Sequence, residues 1–408
     1  MEKVIAFLVL LLASCAANKS SNGDAFDYKD EAEIKVFPKI TWEYEVGDKN
    51  FENRLGSAVF TKDNNKLNIW INWFTTINSF GPQPGCDKFS SFIKAYSSAG
   101  AEPLFEKKLE EGVNAPMYFK EMKADWWNGG VAAITDPLPM QGGVVIRPYF
   151  VILNQDGEIV SKKGEEILEG LKSGGLKDPY TFETLLPTGD GYIIAGNIDV
   201  ADDSESGNFL LLRLKGSGSL LDYKIPEGIA LKNSTTPQTR FSPVSLFRLD
   251  EGKYVIVGQS PVLLYSAGAM IVTVDDSLNT QKMEAVPEAI GGISSADIAW
   301  DNSYLIMSFS LTQTPEGDQL DKPAIAVVGI AGDTLLKISF EEIYSIAKSY
   351  SVVDTAGFTD GFLALTAPFQ DDDDYARIVK FDYEGNVVWI EAVKVRDGFG
   401  KPASLAPP

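Results

Sequence analysis

Three connections between apolar segments carry clusters of carboxylates, the side chains in this sequence best suited to bind a cation. They are Asp199, Asp202, Asp203 and Glu205; then Glu316, Asp318 and Asp321; and then Asp371, Asp372, Asp373 and Asp374. Acidic runs are most often solvated surface loops, and this is the first interpretation. Calcium binding is the second, because calcium takes oxygen ligands, although no EF-hand spacing occurs. A cationic partner is the third interpretation. No cofactor is expected, with calcium as the alternative.

The chain contains no histidine, which excludes several classes of catalytic and metal site. Ser-His-Asp and Cys-His nucleophilic sites and His-ligated zinc all require an imidazole. The remaining chemistry depends on carboxylates, Tyr, Lys and hard cations. Glycoside cleavage by paired carboxylates belongs to this group, but no spacing in the sequence singles out two carboxylates. A carboxylate-dependent carbohydrate-active enzyme is therefore kept as the alternative to a binding or scaffold protein.

Five tryptophans have the ring surface needed to stack on a sugar. They are Trp70, Trp73, Trp126, Trp127 and Trp300. Because Trp70 lies within an apolar strand and Trp300 just before one, packing in the core is the favoured interpretation.

The N-terminus has the features of an export signal. Lys3 precedes an apolar run from Val4 to Leu12, and Ala13 and Ser14 are the small residues expected before a cleavage site. Such a run is too short to span a bilayer, which takes about 20 residues. Residues 1–14 are therefore predicted to be a signal peptide.

The segment Leu12-Ala-Ser-Cys15 resembles the lipobox of bacterial lipoproteins. This resemblance implies that Cys15 is acylated through its sulfur, becomes the mature N-terminus and attaches the protein to a membrane. An ordinary secretory signal with a chance cysteine is the alternative. The residues after Cys15 contain no immediate acidic run resembling a surface-export signal. We therefore expect an outer-membrane lipoprotein that faces the periplasm, with the cell surface as the alternative location.

Residues 15–31 are small and polar without periodicity and are predicted to be a flexible stalk, followed by a folded domain over residues 32–408. Once Cys15 carries lipid, Cys86 is a lone thiol, so no intramolecular disulfide is expected.

The chain has 36 Lys and Arg against 57 Asp and Glu, a net charge of −21. Nucleic acid is excluded as a partner because it requires a basic surface. The expected partners are the membrane, through the lipid, and an envelope protein or a carbohydrate.

From about residue 51 the sequence repeats a unit of four short strands. A strongly apolar strand begins at positions 67, 131, 192, 254, 304 and 362. It is preceded by a less regular strand and followed by a second apolar strand, a tight turn and a fourth strand. Gly157, Gly218, Gly332 and Gly385 are the turn residues expected to have positive φ. Two helical patterns, at residues 165–172 and 341–348, lie between units.

Four antiparallel strands in a unit of roughly 50 to 60 residues match one blade of a β-propeller. The predicted fold is therefore an all-β propeller of about six blades, with seven or eight as alternatives. A β-sandwich does not repeat a four-strand unit six times.

Two stretches resemble the repeats of bacterial exported propellers of the kelch-like and quinoprotein-like groups. They are Asp190-Gly-Tyr-Ile-Ile-Ala-Gly196, followed by Asn208 to Leu214, and Phe381-Asp-Tyr-Glu-Gly-Asn-Val-Val-Trp389. The similarity concerns strands and turns, so it implies a fold and no particular site. Quinone binding is not implied, because only the last unit has the tryptophan that quinone-binding repeats share.

Residues 40–46 resemble a blade strand that has no blade of its own. Ile40-Thr-Trp-Glu-Tyr-Glu-Val46 repeats the Trp-x-Glu pattern of Trp389-Ile-Glu391 but stands before the first repeat. Because exposed strand edges promote aggregation, propellers need their ring closed. We predict that residues 40–46 pair with the blade formed by residues 346–395.

Deleting residues 32–46 tests this pairing. If the segment closes the ring, the deletion lowers the melting temperature of the whole domain, because each large side chain that it buries contributes roughly 1.5 to 3 kcal/mol. The measurement is thermal denaturation followed by circular dichroism. A truncated protein that melts with the parent would show that the segment belongs to the stalk.

Overall fold

The computed structural model describes the chain in segments that together cover its repeated part. These are residues 52–63, 66–76, 90–97, 102–111, 119–125, 129–135, 148–176, 180–199, 207–226, 241–250, 252–262, 266–290, 292–299, 301–311, 322–339, 342–343, 351–367 and 375–394. No helix among them has the length and apolar character needed to cross a bilayer. The segment at 40–46 lies outside these residues, so its pairing stays a prediction, as do the signal, the stalk and Cys15.

The described strands form six antiparallel sheets of four strands each, and each sheet uses four consecutive strands of the chain. Blades 1 to 3 contain β1 (Glu52–Asp63), β2 (Lys66–Thr76), β3 (Ser90–Ser97), β4 (Pro103–Glu111); β5 (Phe119–Asp125), β6 (Gly130–Thr135), β7 (Phe150–Leu153), β8 (Ile159–Lys163); and β9 (Tyr180–Pro187), β10 (Gly191–Asp199), β11 (Gly207–Lys215), β12 (Leu220–Lys224). Blades 4 to 6 contain β13 (Ser242–Asp250), β14 (Lys253–Val262), β15 (Ser266–Asp275), β16 (Thr280–Ile290); β17 (Gly292–Ile298), β18 (Tyr304–Leu311), β19 (Lys322–Gly329), β20 (Thr334–Ile338); and β21 (Ser351–Phe358), β22 (Gly361–Ala367), β23 (Tyr375–Phe381), β24 (Val387–Lys394).

The first strands of successive blades contact one another, from β1 to β5 and onward to β21. The first strand of each blade is therefore innermost and the fourth is outermost. The six sheets form a six-bladed β-propeller, which confirms the predicted fold and blade count.

Burial of both sheet faces explains why the second strand of each unit is an unbroken apolar run. In β10, Tyr192 and Ile194 belong to a cluster shared with blade 2, whereas Ile193 and Ala195 belong to a cluster shared with blade 4. Because side chains alternate between the faces of a strand, both faces must be apolar when a neighbour covers each. The hydrophobic core is thus divided among the junctions between blades.

Polar side chains also join successive blades by accepting backbone N–H groups. The Asn72 Oδ1 atom in blade 1 accepts the Phe119 N–H of blade 2 at 3.0 Å. The Gln259 Oε1 atom in blade 4 accepts the Ile293 N–H of blade 5 at 3.3 Å. Both donors flank a β-bulge of the next blade, where a backbone N–H needs a partner beyond its own sheet.

Helix α1 (Glu165–Ser173) fills the connection between blades 2 and 3, where the sequence predicts a helix. Its buried face, Ile167, Leu168 and Leu171, joins the cluster between these blades. The second predicted helix is described only at residues 342–343. There the Ser339 N–H donates to Glu342 Oε2 and the Glu342 N–H donates to Ser339 Oγ, the reciprocal capping that begins a helix.

The turns between third and fourth strands repeat one hydrogen-bonded conformation in blades 2 to 6. The predicted positive φ is confirmed at Gly157, Gly218, Gly332 and Gly385, with values from 72° to 91°. Blade 4 has Leu278 at this position, with φ of 61°. Its side chain is 1% exposed and packs in the cluster between blades 3 and 4. Burial therefore holds a leucine in a conformation that favours glycine.

Replacing Leu278 with glycine removes the buried side chain and also relieves the left-handed backbone conformation, and these two effects on stability have opposite signs. Loss of a buried leucine side chain costs about 2 to 5 kcal/mol, while relief of the left-handed conformation returns about 1 to 2 kcal/mol. We expect Leu278→Gly to lower the free energy of unfolding by up to about 4 kcal/mol, measured by chemical denaturation. The control is Leu335→Gly, on an exposed outer-strand residue, which tests loss of a leucine without the buried contact. A Leu278→Gly variant as stable as its parent would mean that backbone strain dominates at this turn.

Candidate functional site on the propeller axis

In its first half, the first strand of every blade contains one extra residue at a β-bulge, which is skipped in the pairing with the second strand. The skipped residues are Gly56, Lys120, Glu183, Val244, Ser294 and Val353. Bulges change the direction of side chains and often occur beside functional sites. In blades 2 and 3 the skipped residues are charged, and the Lys120 ammonium contacts the Glu183 carboxylate across the junction.

Lys123 belongs to a second group of charged side chains on the first strands. Its Nζ atom is 3.0 Å from Glu121 Oε1 on the same strand, β5. It also experiences the charges of Asp297 on β17 and Asp354 on β21. We call these four residues the axial cluster; they come from blades 2, 5 and 6. The Lys123 side chain is 38% exposed, so solvent reaches it.

Each carboxylate of the axial cluster accepts a backbone N–H. Glu121 Oε2 accepts the N–H of Leu185 in blade 3 at 2.6 Å. Asp297 Oδ2 accepts the N–H of Gly357 in blade 6 at 2.6 Å. Asp354 Oδ1 accepts the N–H of the following residue, Thr355, at 2.9 Å. The first two bonds cross junctions between blades, so these carboxylates both carry charge and hold neighbouring blades together.

A close approach explains why residue 357 is glycine. A Cβ atom built there would lie 2.4 Å from the carbonyl oxygen of Ile298 in blade 5, closer than real Cβ atoms come to backbone. The absence of a side chain therefore lets the backbone of blade 6 reach Asp297.

The surroundings separate the proton affinities of the axial groups. Burial lowers the pKa of Lys123, but Glu121, with Asp297 and Asp354, more than offsets this and leaves the pKa above its ordinary value. Burial raises the pKa of Asp297, outweighing the N–H donors of Gly357 and Ile298 and the charge of Lys123, which lower it. Lys123 thus stays cationic and cannot act as a base at neutral pH, whereas Asp297 holds a proton to higher pH than an ordinary aspartate.

The carboxylates predicted to bind a cation are not placed by the described residues. Asp199 is the last residue of β10, and its side chain is not described. The other ten lie outside the described residues, as do Cys15 and Cys86. Within the described part of the chain, no group of three or more metal-binding side chains has the geometry to hold an ion. Calcium binding by these connections stays a prediction.

Trp70 packs in the core, as its sequence context predicts. Its side chain is 2% exposed and its Nε1–H donates to Thr61 Oγ1 at 2.9 Å. It belongs to the cluster between blades 1 and 2 and contacts Phe105 edge to face. It is therefore not available to stack on a sugar. The side chains of the other four tryptophans named above are not described.

Sequence reasoning missed the axial cluster because its residues belong to the less regular first strand of each unit. Three of the four are carboxylates without distinctive spacing. Glu121 and Asp354, for example, are more than 200 residues apart along the chain. The available signal was the irregularity itself: an extra residue in a strand indicates a bulge, and the ring brings all six bulges to the axis.

No protein-family model matches this chain, and no curated protein sequence matches it. Solved structures with a similar arrangement include the propeller of Dos1, at 12% identity and a TM-score of 0.44, covering 84% of this chain and 70% of that chain. Another is hydrazine synthase from Kuenenia stuttgartiensis, at 8% identity and a TM-score of 0.44, covering 84% of this chain and 96% of that one. A third is Sqt1 from Chaetomium thermophilum, at 11% identity and a TM-score of 0.43, covering 83% and 72%. The similarity concerns the fold and indicates no ligand.

Proposed function

We propose that this protein is a lipid-anchored binding or scaffold module of the cell envelope. Two features support the proposal: the lipobox-like segment ending at Cys15 and the six-bladed propeller that follows it. The lipid provides the attachment to the membrane, and the propeller provides a rigid body that presents a surface to a partner.

The observation that carries the binding role is the repeated strand order. Because every blade runs outward through four antiparallel strands, the connections after the second and fourth strands emerge at one end of the ring. We call this end the long-loop face; the short turns after the first and third strands emerge at the other end. The six connections between second and third strands therefore start and end at this face, and loops at one end of a rigid scaffold commonly bind partners.

The chemistry of the long-loop face suggests what it would contact. The carboxylates predicted to bind a cation all lie in three of the connections between second and third strands or at their edges. A negative surface attracts a basic patch on an envelope protein, and it opposes nucleic acid and anionic lipid. The connections of blades 1 and 2, at residues 77–89 and 136–149, also start and end at this face, and both are rich in proline.

A carboxylate-dependent carbohydrate-active enzyme is the second candidate, and the axial cluster is the observation that favours it. Glycosidases need one carboxyl group that holds a proton and another that stays ionised. Asp297, whose pKa burial raises, has the property of the acid, and Glu121, which pairs with Lys123, is the carboxylate proposed as the base or nucleophile.

The lipid attachment is tested by Cys15→Ala. We expect the variant to be exported and recovered in the soluble envelope fraction, because the acyl chains are the proposed attachment to the membrane. Fractionation and immunoblotting measure this, and protease treatment of intact cells reports which face the parent occupies. Recovery of the variant in the membrane pellet would contradict the proposed anchor.

The soluble variant also separates the two candidates. If the protein is a binding module, purified Cys15→Ala protein leaves a panel of aryl glycosides intact and retains a basic protein on an affinity column. If the protein is a glycosidase, it cleaves one of the aryl glycosides. Asp297→Asn then lowers the rate of cleavage by about 100-fold or more, because the acid is lost. Asp156→Asn, on an exposed turn at the rim, is the matched control and should leave that rate unchanged.

A further inference from the structure

The outer edge of β24 is the longest regular edge among the described outermost strands. From Trp389 to Lys394, this strand pairs residue for residue with β23, without a bulge. The other outermost strands have regular runs of three or four paired residues, because bulges interrupt them or the strand ends. These runs are 105–108 in β4, 161–163 in β8, 222–224 in β12, 282–285 in β16 and 336–338 in β20. Among the described strands, the other side of β24 has no partner.

A regular and apolar edge is the part of a sheet best suited to accept another strand. The regular stretch of β24 reads Trp-Ile-Glu-Ala-Val-Lys, so four of its six residues are apolar. The one bulge of the strand, at Val388, lies before this stretch. Val388 is 53% exposed, and Ala392 within the stretch is also exposed. Neither a bulge nor a proline therefore protects this edge from pairing.

The chain itself contains a segment with the length and pattern of a strand for this edge. The segment is Ile40-Thr-Trp-Glu-Tyr-Glu-Val46, which the sequence analysis assigns to blade 6. Its alternation of apolar and polar residues is typical of a strand that packs on one face and is solvated on the other. Blade 6 already has four strands from residues 351–394, and its innermost strand faces the axis. An added strand therefore has its place beyond β24.

The link between this segment and blade 1 sets the direction of the added strand. β1 begins at Glu52 on the long-loop face, and β24 ends at that face. The five residues 47–51 bridge about 20 Å at most, which four strand spacings of about 4.8 Å already use in crossing a blade. A return along the length of a seven-residue strand would take about 23 Å more. Val46 must therefore lie at the long-loop face, which makes the segment parallel to β24.

We propose that residues 40–46 add to the free edge of β24 as a fifth strand of blade 6, parallel to β24. Ile40 then lies at the end of the ring that carries the short turns, so the stalk leaves the propeller from that end. The long-loop face is consequently the end remote from the attachment, where a partner can reach its connections. This last consequence rests on the proposed lipid anchor, whereas the strand pairing does not.

Distances between spin labels test the pairing and its direction. The background carries Cys15→Ala and Cys86→Ser, so the protein is soluble and has no native thiol to label. Val388→Cys, at the short-turn end of β24, is combined with either Thr41→Cys or Glu45→Cys, both on the polar face of the segment. We expect two narrow distance distributions, with the distance from position 41 shorter than that from position 45 by about 10 Å, because four residues of a strand span about 13 Å.

Leu104→Cys provides the matched control on another edge. Leu104 occupies the same bulge position on the outermost strand of blade 1 and is equally exposed, at 53%. Labels at positions 41 and 45 should each lie farther from position 104 than from position 388. The opposite result would place the segment on β4 and overturn the proposal.

Proline substitutions test whether backbone pairing holds the segment. Successive N–H groups of a strand point to opposite sides, so Glu43→Pro/Tyr44→Pro removes one that faces β24 in either register. We expect this variant to broaden both distributions to position 388. Ser20→Pro/Ser21→Pro, in the stalk, is the control and should leave both distributions narrow.

Three results would overturn the proposal. Broad distributions in the parent background would show that the segment belongs to the stalk. A distance from position 45 shorter than that from position 41 would show an antiparallel strand. Short distances that vanish when labelled protein is diluted with unlabelled protein would show that the edge binds a second copy. Because the measured protein carries no lipid, these results do not depend on whether Cys15 is acylated, which fractionation of the Cys15→Ala variant tests separately.

Discussion

The architecture depends on the burial of both faces of each sheet against its neighbours. A four-stranded sheet whose middle strands are apolar on both sides is not stable alone in water, because its apolar faces stay exposed. Val131 to Ile134 in β6 and Phe150 to Leu153 in β7 are buried along their whole length for this reason. Closing the ring gives every sheet two partners. The division of the core among junctions, the position of α1 and the need for polar connections between blades all follow from this one requirement.

Burial of both sheet faces also explains which parts of the fold could be predicted from the sequence. Runs such as Tyr192 to Gly196 and Tyr254 to Gly258 are long enough and apolar enough to be identified singly, and their spacing then indicates the blade. The turn glycines were predictable because positive φ has few alternatives to glycine. The leucine at position 278 was not, because its tolerance of that conformation comes from a cluster assembled by strands of two blades.

The axial cluster could not be predicted from the sequence either. Nothing local distinguishes Glu121 or Asp297 from the many other carboxylates of an acidic chain. Their properties arise from enclosure, from N–H groups of adjacent blades and from one ammonium shared across the axis. These are properties of the closed ring, so a sequence pattern that describes one blade at a time does not contain them. The same carboxylates accept backbone N–H groups of the ring, and one of them, Asp297, has a pKa that burial raises.

The ring covers the faces of the sheets but not their outer edges, since among the described strands the outermost strand of each blade pairs only with the third strand of its own sheet. Such an edge offers unpaired backbone groups to any passing strand, including one from a second copy of the protein. All six outermost strands contain at least one lysine: Lys107, Lys162, Lys224, Lys282, Lys337 and Lys394 are examples. A lysine that approaches another strand edge must give up its water, which discourages pairing. In a chain with far fewer cations than anions, this placement of lysines discourages copies of the protein from joining rim to rim.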